Sequence, residues 1–535
     1  MTTDLVDTNA AKGQAIVASR ATINLAEEIH WLLASIVYLL LVIVTIRLRW
    51  FSLTNHDVAW LVTAAGRWLD GARYGRDIIE INTPAAMLLY VPPVWLAKLT
   101  NLPLGHLIDL WLSMIALAAA ILAGHAVATS AGVSARSRLA FLTTFLIYVV
   151  LTFYPAYDFA QRDHFVAALL LPYALTTMNS AEASFRRADR LLAASLAAAA
   201  LCIKPQYLLV TFGIWAVGLA RHLAQRQGGW TAWRRTLWQS DLPFIVVIGL
   251  LYIAAVIVVF PDWLPMLWRM QQFYSLYSAP FLQVLGNSLS YFVPLGIGAT
   301  ALCFPLPGRR FLQDGLLLAS LTMLLVFLEH KPWAYHYLPI LLFLGCGAAT
   351  TLVISLPALT AFSRRPAAIA AVVALIPIYL ATSTDAANRN ERDIYDSTLL
   401  APVLQKFAQK GDHIAFLSIA IPPGFPLVLE EGYVWALRYP CLWTLAGAAG
   451  LHQKGKLGDA DMEAALQEIG TAVAQDLGQT PTKVVVVDLR PFKEQFPNGL
   501  DIVALLSHSP GFAQQWQNYA LQTTDGGFAI YQRSQ

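Results

Sequence analysis

Apolar runs recur along this chain near residues 31–47, 105–128, 139–155, 164–178, 242–260, 288–305, 311–328, 338–356 and 367–383, with short polar segments between them. A membrane-spanning helix needs about 20 mostly apolar residues, with about 17 as a lower bound, so the pattern predicts a bundle of spanning helices. Two stretches break the rhythm. Residues 191–220 are apolar except at Lys204-Pro205-Gln206, and residues 84–99 ("PAAMLLYVPPVWLAKL") are short, with Pro92-Pro93 in the middle. Beyond 384 the pattern changes. "HIAFLSIA" (413–420), "KVVVVDLR" (483–490) and "FAIYQR" (528–533) read as strands, and "MEAALQEIGTAVAQDL" (462–477) has the apolar spacing of a helix. The division expected is a transmembrane domain over 1–384 and a soluble α/β domain over 385–535.

Basic residues decide the two ambiguous stretches, because cytoplasmic loops collect Lys and Arg. Thirteen arginines fall in five clusters: 136 and 138; 186, 187 and 190; 221, 226, 234 and 235; 309 and 310; 364 and 365. The alternate connections hold only Arg162, Lys204, Arg269 and Lys331. For the clusters to share one side, 191–220 must cross twice, as two short helices joined at Lys204-Pro205. By the same logic 84–99 stays at the outer interface as an amphipathic helix. The result is about eleven spans, a cytoplasmic N-terminus and an extracytoplasmic (periplasmic) C-terminal domain. The outer loop 48–104 carries Arg47, Arg49, Arg67, Arg73, Arg76 and Lys98 at or near it, against the charge rule, which long loops obey weakly.

Composition supports this reading. With 57% hydrophobic and 13% charged residues in 535, the chain is an integral protein of the inner (plasma) membrane, and a formal charge of +3 gives no case for nucleic acid. Cys202, Cys303, Cys346 and Cys441 are scattered, with neither disulfide-framework nor metal-ligand spacing. The first run ends "VTIRLRW" rather than at a small-residue cleavage site, so it reads as a retained anchor.

The outer side gathers the polar chemistry. His56, Asp57, Asp70, Arg73, Arg76, Asp77 and Glu80 come from the first loop. "YPAYDFAQRDH" supplies Asp158, Arg162, Asp163 and His164. Lys204, Asp262 and Arg269 follow, and "EHKPWAYHYLP" brings Glu329, His330, Lys331, Tyr335 and His336. The span interiors are almost free of charge, whereas an ion-coupled transporter would carry ionisable groups near the midplane. Polar groups at one interface suit an enzyme acting on a lipid head group.

Three features in this order resemble the GT-C glycosyltransferases, especially the branch with the protein O-mannosyltransferases and the lipid A aminoarabinose transferase. An acidic residue, Asp57, follows the first span, and a proline-opened interfacial helix comes after it in "NHDVAWLVTAAGRWLDGARYGRDIIEINTPAAMLLYVPPVW". Arg162-Asp163 stands at the outer end of the third span. Lys331, Tyr335, Tyr337 and Pro339 lead into a late span. The resemblance covers roughly residues 30–385. Val58 stands where the family often has a second acid, and "NTPAAMLL" replaces its lysine-containing opening. The resemblance implies transfer of a sugar from a polyprenyl-phosphate donor to a cell-envelope glycan, lipid or protein acceptor on the outer face of the membrane, with inversion.

Such a transfer needs a base for the acceptor hydroxyl and cations for the departing phosphate. Asp57 is the candidate base, provided its surroundings raise a carboxylate pKa near 3.9. Lys331, Arg162, Lys204 and His336 are candidates for the donor phosphate. Asp163, Asp158, Asp77, Glu80 and Tyr335 are assigned to acceptor or supporting roles. No metal ligands are assigned, and the chemistry leaves room for a divalent metal. Blander roles stand beside these. Asp57 can be a solvated loop acid, Lys331 with Trp333 and Tyr335 a membrane-interface belt, Arg162-Asp163 a structural ion pair, and Asp488 a strand-end residue. The competing functions are a transporter or flippase of lipid-linked saccharide and a non-catalytic assembly protein.

Overall fold

The computed structural model describes residues 32–47, 54–131, 136–181, 183–225, 241–359, 399–479, 481–491 and 499–534. The chain forms two compact units, 1–50 and 51–535. The described part of the first is the apolar helix Leu32–Arg47.

Among the described residues, five helices are long and apolar enough to cross a membrane: Leu104–Ser130, Pro205–Ala224, Leu242–Val259, Arg309–Glu329 and Ala334–Ser355. Leu32–Arg47 and Arg138–Phe153 are apolar but shorter. Arg162–Met178 and Arg187–Ile203 have 17 residues each, and Phe281–Ala301 begins before the expected 288. The last expected span, 367–383, and the expected boundary at 384/385 lie outside the described residues. The helix over Ala334–Ser355 is central and almost wholly buried, whereas Leu242–Val259 turns Val247, Leu250, Leu251 and Val258 outward, as a helix facing lipid would. Small residues let the central helix approach its neighbour. A Cβ on Gly315 would stand 2.6 Å from the Phe343 carbonyl oxygen, and one on Gly347 2.6 Å from that of Phe311.

The stretch 191–220 folds as two helices. Arg187–Ile203 ends at Lys204, which is extended (φ −138°, ψ 91°), and Pro205, with no N–H to give a continuing helix, opens a 3₁₀ turn before Leu208–Gln225. Their directions follow from two contacts with helix Arg162–Met178. Lys204 bonds Asp163 at its start, and Arg221 bonds the Met178 carbonyl at its end. Leu208–Gln225 therefore runs parallel to Arg162–Met178, and Arg187–Ile203 runs against both. The stretch 84–99 also differs from a single helix. Pro84–Leu88 and Val91–Thr100 are separate, because Pro92 and Pro93 suit the first turn of a new helix and not the interior of an old one.

The C-terminal part holds a five-stranded sheet in the order β2-β1-β3-β5-β4. β1 (His413–Leu417) pairs parallel with β2 (Val434–Trp435) and with β3 (Val484–Asp488), Ile414 lying opposite Val484. β5 (Phe528–Arg533) pairs antiparallel with β3 and with β4 (Tyr519–Asp525). "VVVVD" is wholly buried, as a central strand covered on both faces should be. β4 is mostly exposed and polar, an edge strand whose residues carry little strand signal.

This part packs directly onto the segment 54–104. Phe425 meets Trp60 edge-on (ring centroids 5.6 Å), Glu430 accepts from the Thr54 hydroxyl (2.8 Å), and Ile79 N–H donates to the Arg438 carbonyl (2.8 Å). Gly75 (φ +94°) makes a tight turn of that segment, where a Cβ would fall 2.6 Å from the Asp262 and Trp263 backbone.

Candidate active site

Asn55 caps helix His56–Leu69, its side-chain oxygen accepting from Asp57 N–H (3.0 Å), which places Asp57 in the first turn. One oxygen of Asp57 accepts from the Gln161 amide (2.8 Å) and from Arg162 Nη2 (3.2 Å). The Gln161 amide also donates to Asn55 (2.9 Å), and the Asn55 amide donates to Asp158 (3.3 Å). Residues 55–57 and 158–162, between 103 and 106 positions apart at each contact, are thus sewn into one largely buried network by amides as well as charges.

Arg162 and Asp163 begin the next helix but do not pair with each other, contrary to the ion-pair expectation. Consecutive helical residues point apart. Arg162 turns to Asp57, while Asp163 accepts from Lys204 Nζ (2.6 Å) and the Tyr207 hydroxyl (3.1 Å). The Tyr335 ring joins the two halves, its centroid 5.9 Å from the Arg162 guanidinium and 5.4 Å from the Lys204 ammonium.

Lys331 lies over the Tyr274 ring (3.5 Å) and near Trp333 (5.7 Å). Trp443, from the C-terminal part, meets Tyr274 edge-on at 5.9 Å, and its carbonyl accepts from the Tyr277 hydroxyl. His336 Nδ1 lies 2.8 Å from the Lys331 carbonyl and 3.3 Å from the Glu329 carboxylate, so it steadies the Lys331 turn with the nitrogen nearest the charges.

Electrostatics separates the candidate base from the candidate cation. Burial pushes the Asp57 carboxyl up, but Arg162, His56, the Gln161 amide and Lys204 together outweigh it and hold its pKa below the ordinary carboxylate value. The raised pKa expected of a strong general base is not what this pocket provides; Asp57 is ionised. Burial pulls the Lys331 ammonium down to about 8, with Glu329 opposing and nearby Lys204 adding to the fall.

The structure therefore brings together Asp57, Asp158, Arg162, Asp163, Lys204 and Tyr335, with Lys331 and His336 along one side. It does not bring in Asp77, whereas the Glu80 carboxylate stands behind the cluster, near enough for its charge to act on Arg162 and Tyr274. Asp77 holds the turn at 73–77 through Arg73 N–H (2.8 Å), and buried Glu80 accepts from Trp60 Nε1 (2.6 Å) and Asn82. Among the described residues no group of three or more His, Cys, Asp or Glu side chains is placed to hold a metal ion. The carboxylates of the cluster are matched by cations and amides, which is not a divalent-metal ligand set. Sequence reasoning missed Asn55, Gln161, Tyr207, Tyr274 and Trp443. Asn55 and Gln161 sit beside the charged residues in sequence and could have been found as a capping residue and a neighbouring amide. Tyr274 and Trp443 carry no local signal.

No protein-family model and no curated protein matches this sequence. A solved structure does: the crystal structure of ArnT from Cupriavidus metallidurans in the apo state aligns over 93% of this chain and 97% of that one, with a TM-score of 0.53 and 11% identity. The chain has the ArnT fold. The order of motifs resembles that of the GT-C glycosyltransferases over roughly residues 30–385, and the shared fold, at 93% of the chain, is longer than that stretch.

Proposed function

We propose that this protein is an integral membrane glycosyltransferase that takes a sugar from a polyprenyl-phosphate donor and passes it, with inversion, to a cell-envelope glycan, lipid or protein at the outer face. The observation that carries this reading is the meeting of an ionised carboxylate, Asp57, with Arg162 and Lys204 in one buried cluster, with Lys331 beside it. In the reaction the acceptor oxygen bonds to the anomeric carbon as the carbon–oxygen bond to phosphate breaks. The hydroxyl proton passes to Asp57, and the electron pair leaves on the phosphate. Because Asp57 is a weak base, it takes the proton late, once the acceptor oxygen is already bonding and has become acidic. Arg162 keeps donors beyond its one bond to Asp57, and with Lys204 and Lys331 it neutralises the departing phosphate. His336 sets the Lys331 turn, Asp163 and Tyr207 hold Lys204, and Asp158 holds the amide network behind Asp57. The part beyond 399 shapes the acceptor side, with Trp443 set against Tyr274 and Phe425 buried against Trp60 on the Asp57 helix.

Purified protein given a radiolabelled polyprenyl-phosphate sugar and an envelope extract is expected to release polyprenyl phosphate and label the extract. Movement of intact lipid across vesicles with no bond cleavage would instead identify a flippase.

A further inference from the structure

A cavity of about 540 Å³ that shares no lining residue with the Asp57 cluster lies where the loop at 75–79 meets helix Trp263–Tyr274, Arg438 and helix Asp459–Gln479 of the C-terminal part. That volume lies within the roughly 300–1,000 Å³ of small-ligand sites. The mechanism above makes no use of it.

The lining carries Arg76, Arg269 and Arg438 against Asp262 and Glu468, Asp262 is held by Arg73 from outside it (2.5 Å), and two of the arginines are only loosely matched by an acid. Arg76 Nε stands 3.7 Å from Asp77, and Arg269 Nη1 stands 3.6 Å from Glu468, with both arginines and Glu468 more than half exposed. These separations exceed hydrogen-bonding distance, so each group keeps capacity to donate or accept toward a ligand. Arg438 is different. Asp476 grips its Nε and Nη2, and Gln475 accepts from Nη2 (3.2 Å), making it a fixed strut of the wall. A cradle for phosphate would set several cations against few acids. Here acids stand beside the arginines, and Gln467, Thr471 and Gln475 add neutral donors and acceptors over an apolar floor that includes Ile79 and Pro265. A ligand matching that surface carries many hydroxyls, able both to donate and to accept, on a compact frame with C–H faces.

The cavity is also close to the chemistry. Ile79 is followed by Glu80, whose carbonyl accepts from Trp263 Nε1 (3.2 Å) and whose carboxylate accepts from Trp60 Nε1 on the Asp57 helix. A single chain segment separates the two. We propose that this cleft holds the saccharide portion of the acceptor, a deepening that rests on the glycosyltransferase reading of the Asp57 cluster.

The test uses the purified full chain in detergent and, as probe, the lipid-free oligosaccharide released from the host's envelope glycolipids, with binding read by saturation-transfer NMR. Wild type is expected to bind it, and Arg269→Ala and the cavity-filling Gln475→Trp each to raise the dissociation constant at least tenfold, with unchanged thermal unfolding confirming intact folds. Absence of binding by wild type, or binding indifferent to both changes, overturns the proposal. So does displacement of the oligosaccharide by millimolar inorganic phosphate, which would make the cleft an anion site. The two readings fail separately. Absence of polyprenyl phosphate release by wild type sinks the glycosyltransferase reading and leaves the cleft's binding as measured, whereas saccharide binding indifferent to Arg269 and Gln475 leaves polyprenyl phosphate release untouched.

Discussion

Helix Arg162–Met178 has a buried charged cluster at each end, and the two are built differently. At its end beside Met178, Asp314 accepts from Arg221 (2.5 Å) and from the Asn179 amide (3.3 Å), and Arg221 also bonds the Met178 carbonyl. One acid, one cation and one amide tie three helices together. At the Arg162 end, Asp158, Arg162, Asp163 and Lys204 are each at most 5% exposed, and Asp57 joins them. Each end leaves a buried polar atom without a partner in the structure, Asn179 Oδ1 at one and Gln161 Oε1 and Arg162 Nε at the other, so orphaned atoms do not separate them. The number of charges does. Taking an ion out of water costs several kcal/mol, and a single pair already suffices to fix helix register. Five charges and an aromatic face are more than a lock needs, and their excess at one end is the physical argument that this end binds something charged.

The sharpest way to break the comparison is to neutralise one acid at each end. Asp57→Asn should lower transfer by about a hundredfold or more, the weight of a general base. Asp314→Asn should leave transfer per folded molecule unchanged. Both remove one member of a buried pair, a loss of about 3–5 kcal/mol, so both lower the melting temperature and stability alone does not distinguish them. Equal activity losses in a single-turnover assay normalised to folded protein would erase the distinction.

A smaller effect belongs to pH. A Lys331 pKa of about 8 lies below the ordinary lysine value, so its charge is present below pH 8 and lost as pH rises through that point. Donor affinity should be level to about pH 7 and fall by up to about tenfold one unit above the pKa. Lys331→Met should bind weakly with no alkaline fall, and Trp333→Phe should retain the wild-type profile. A flat wild-type profile would reduce Lys331 to a membrane-interface anchor.

The smallest concerns how the outer end is held in place. The helix break at Lys204 leaves the Cys202 and Ile203 carbonyls without intrahelical donors, and the Thr83 hydroxyl lies 2.7 and 2.9 Å from them. Thr83 thus acts through Lys204. Thr83→Val should remove about 1 kcal/mol of positioning and raise the donor KM about fivefold with kcat little changed, and Thr83→Ser should restore it. An equal loss in Thr83→Ser would show that the methyl packing mattered and not the bond.

The sequence by itself determined the helical bundle, the break of 191–220 at Lys204-Pro205, and the polar groups that gather between the apolar runs. It also determined the strands at 413–417, 484–488 and 528–533. These follow from local properties: run length, periodicity, proline's missing N–H and the cost of charge in a membrane. Tertiary structure decided which charge meets which. Arg162 and Asp163 are neighbours in the chain, yet one faces a carboxylate 105 residues away and the other an ammonium 41 residues away. It decided that Asp57 is held ionised rather than raised, because that depends on a guanidinium and an amide from another helix. It also placed Trp443 beside Lys331's aromatic partner, and it opened the saccharide-sized cleft between a loop near residue 76 and a helix near residue 468. Pairings over such separations leave no periodic trace, since what selects them is the shape and desolvation of the assembled core and not any preference of the residues themselves.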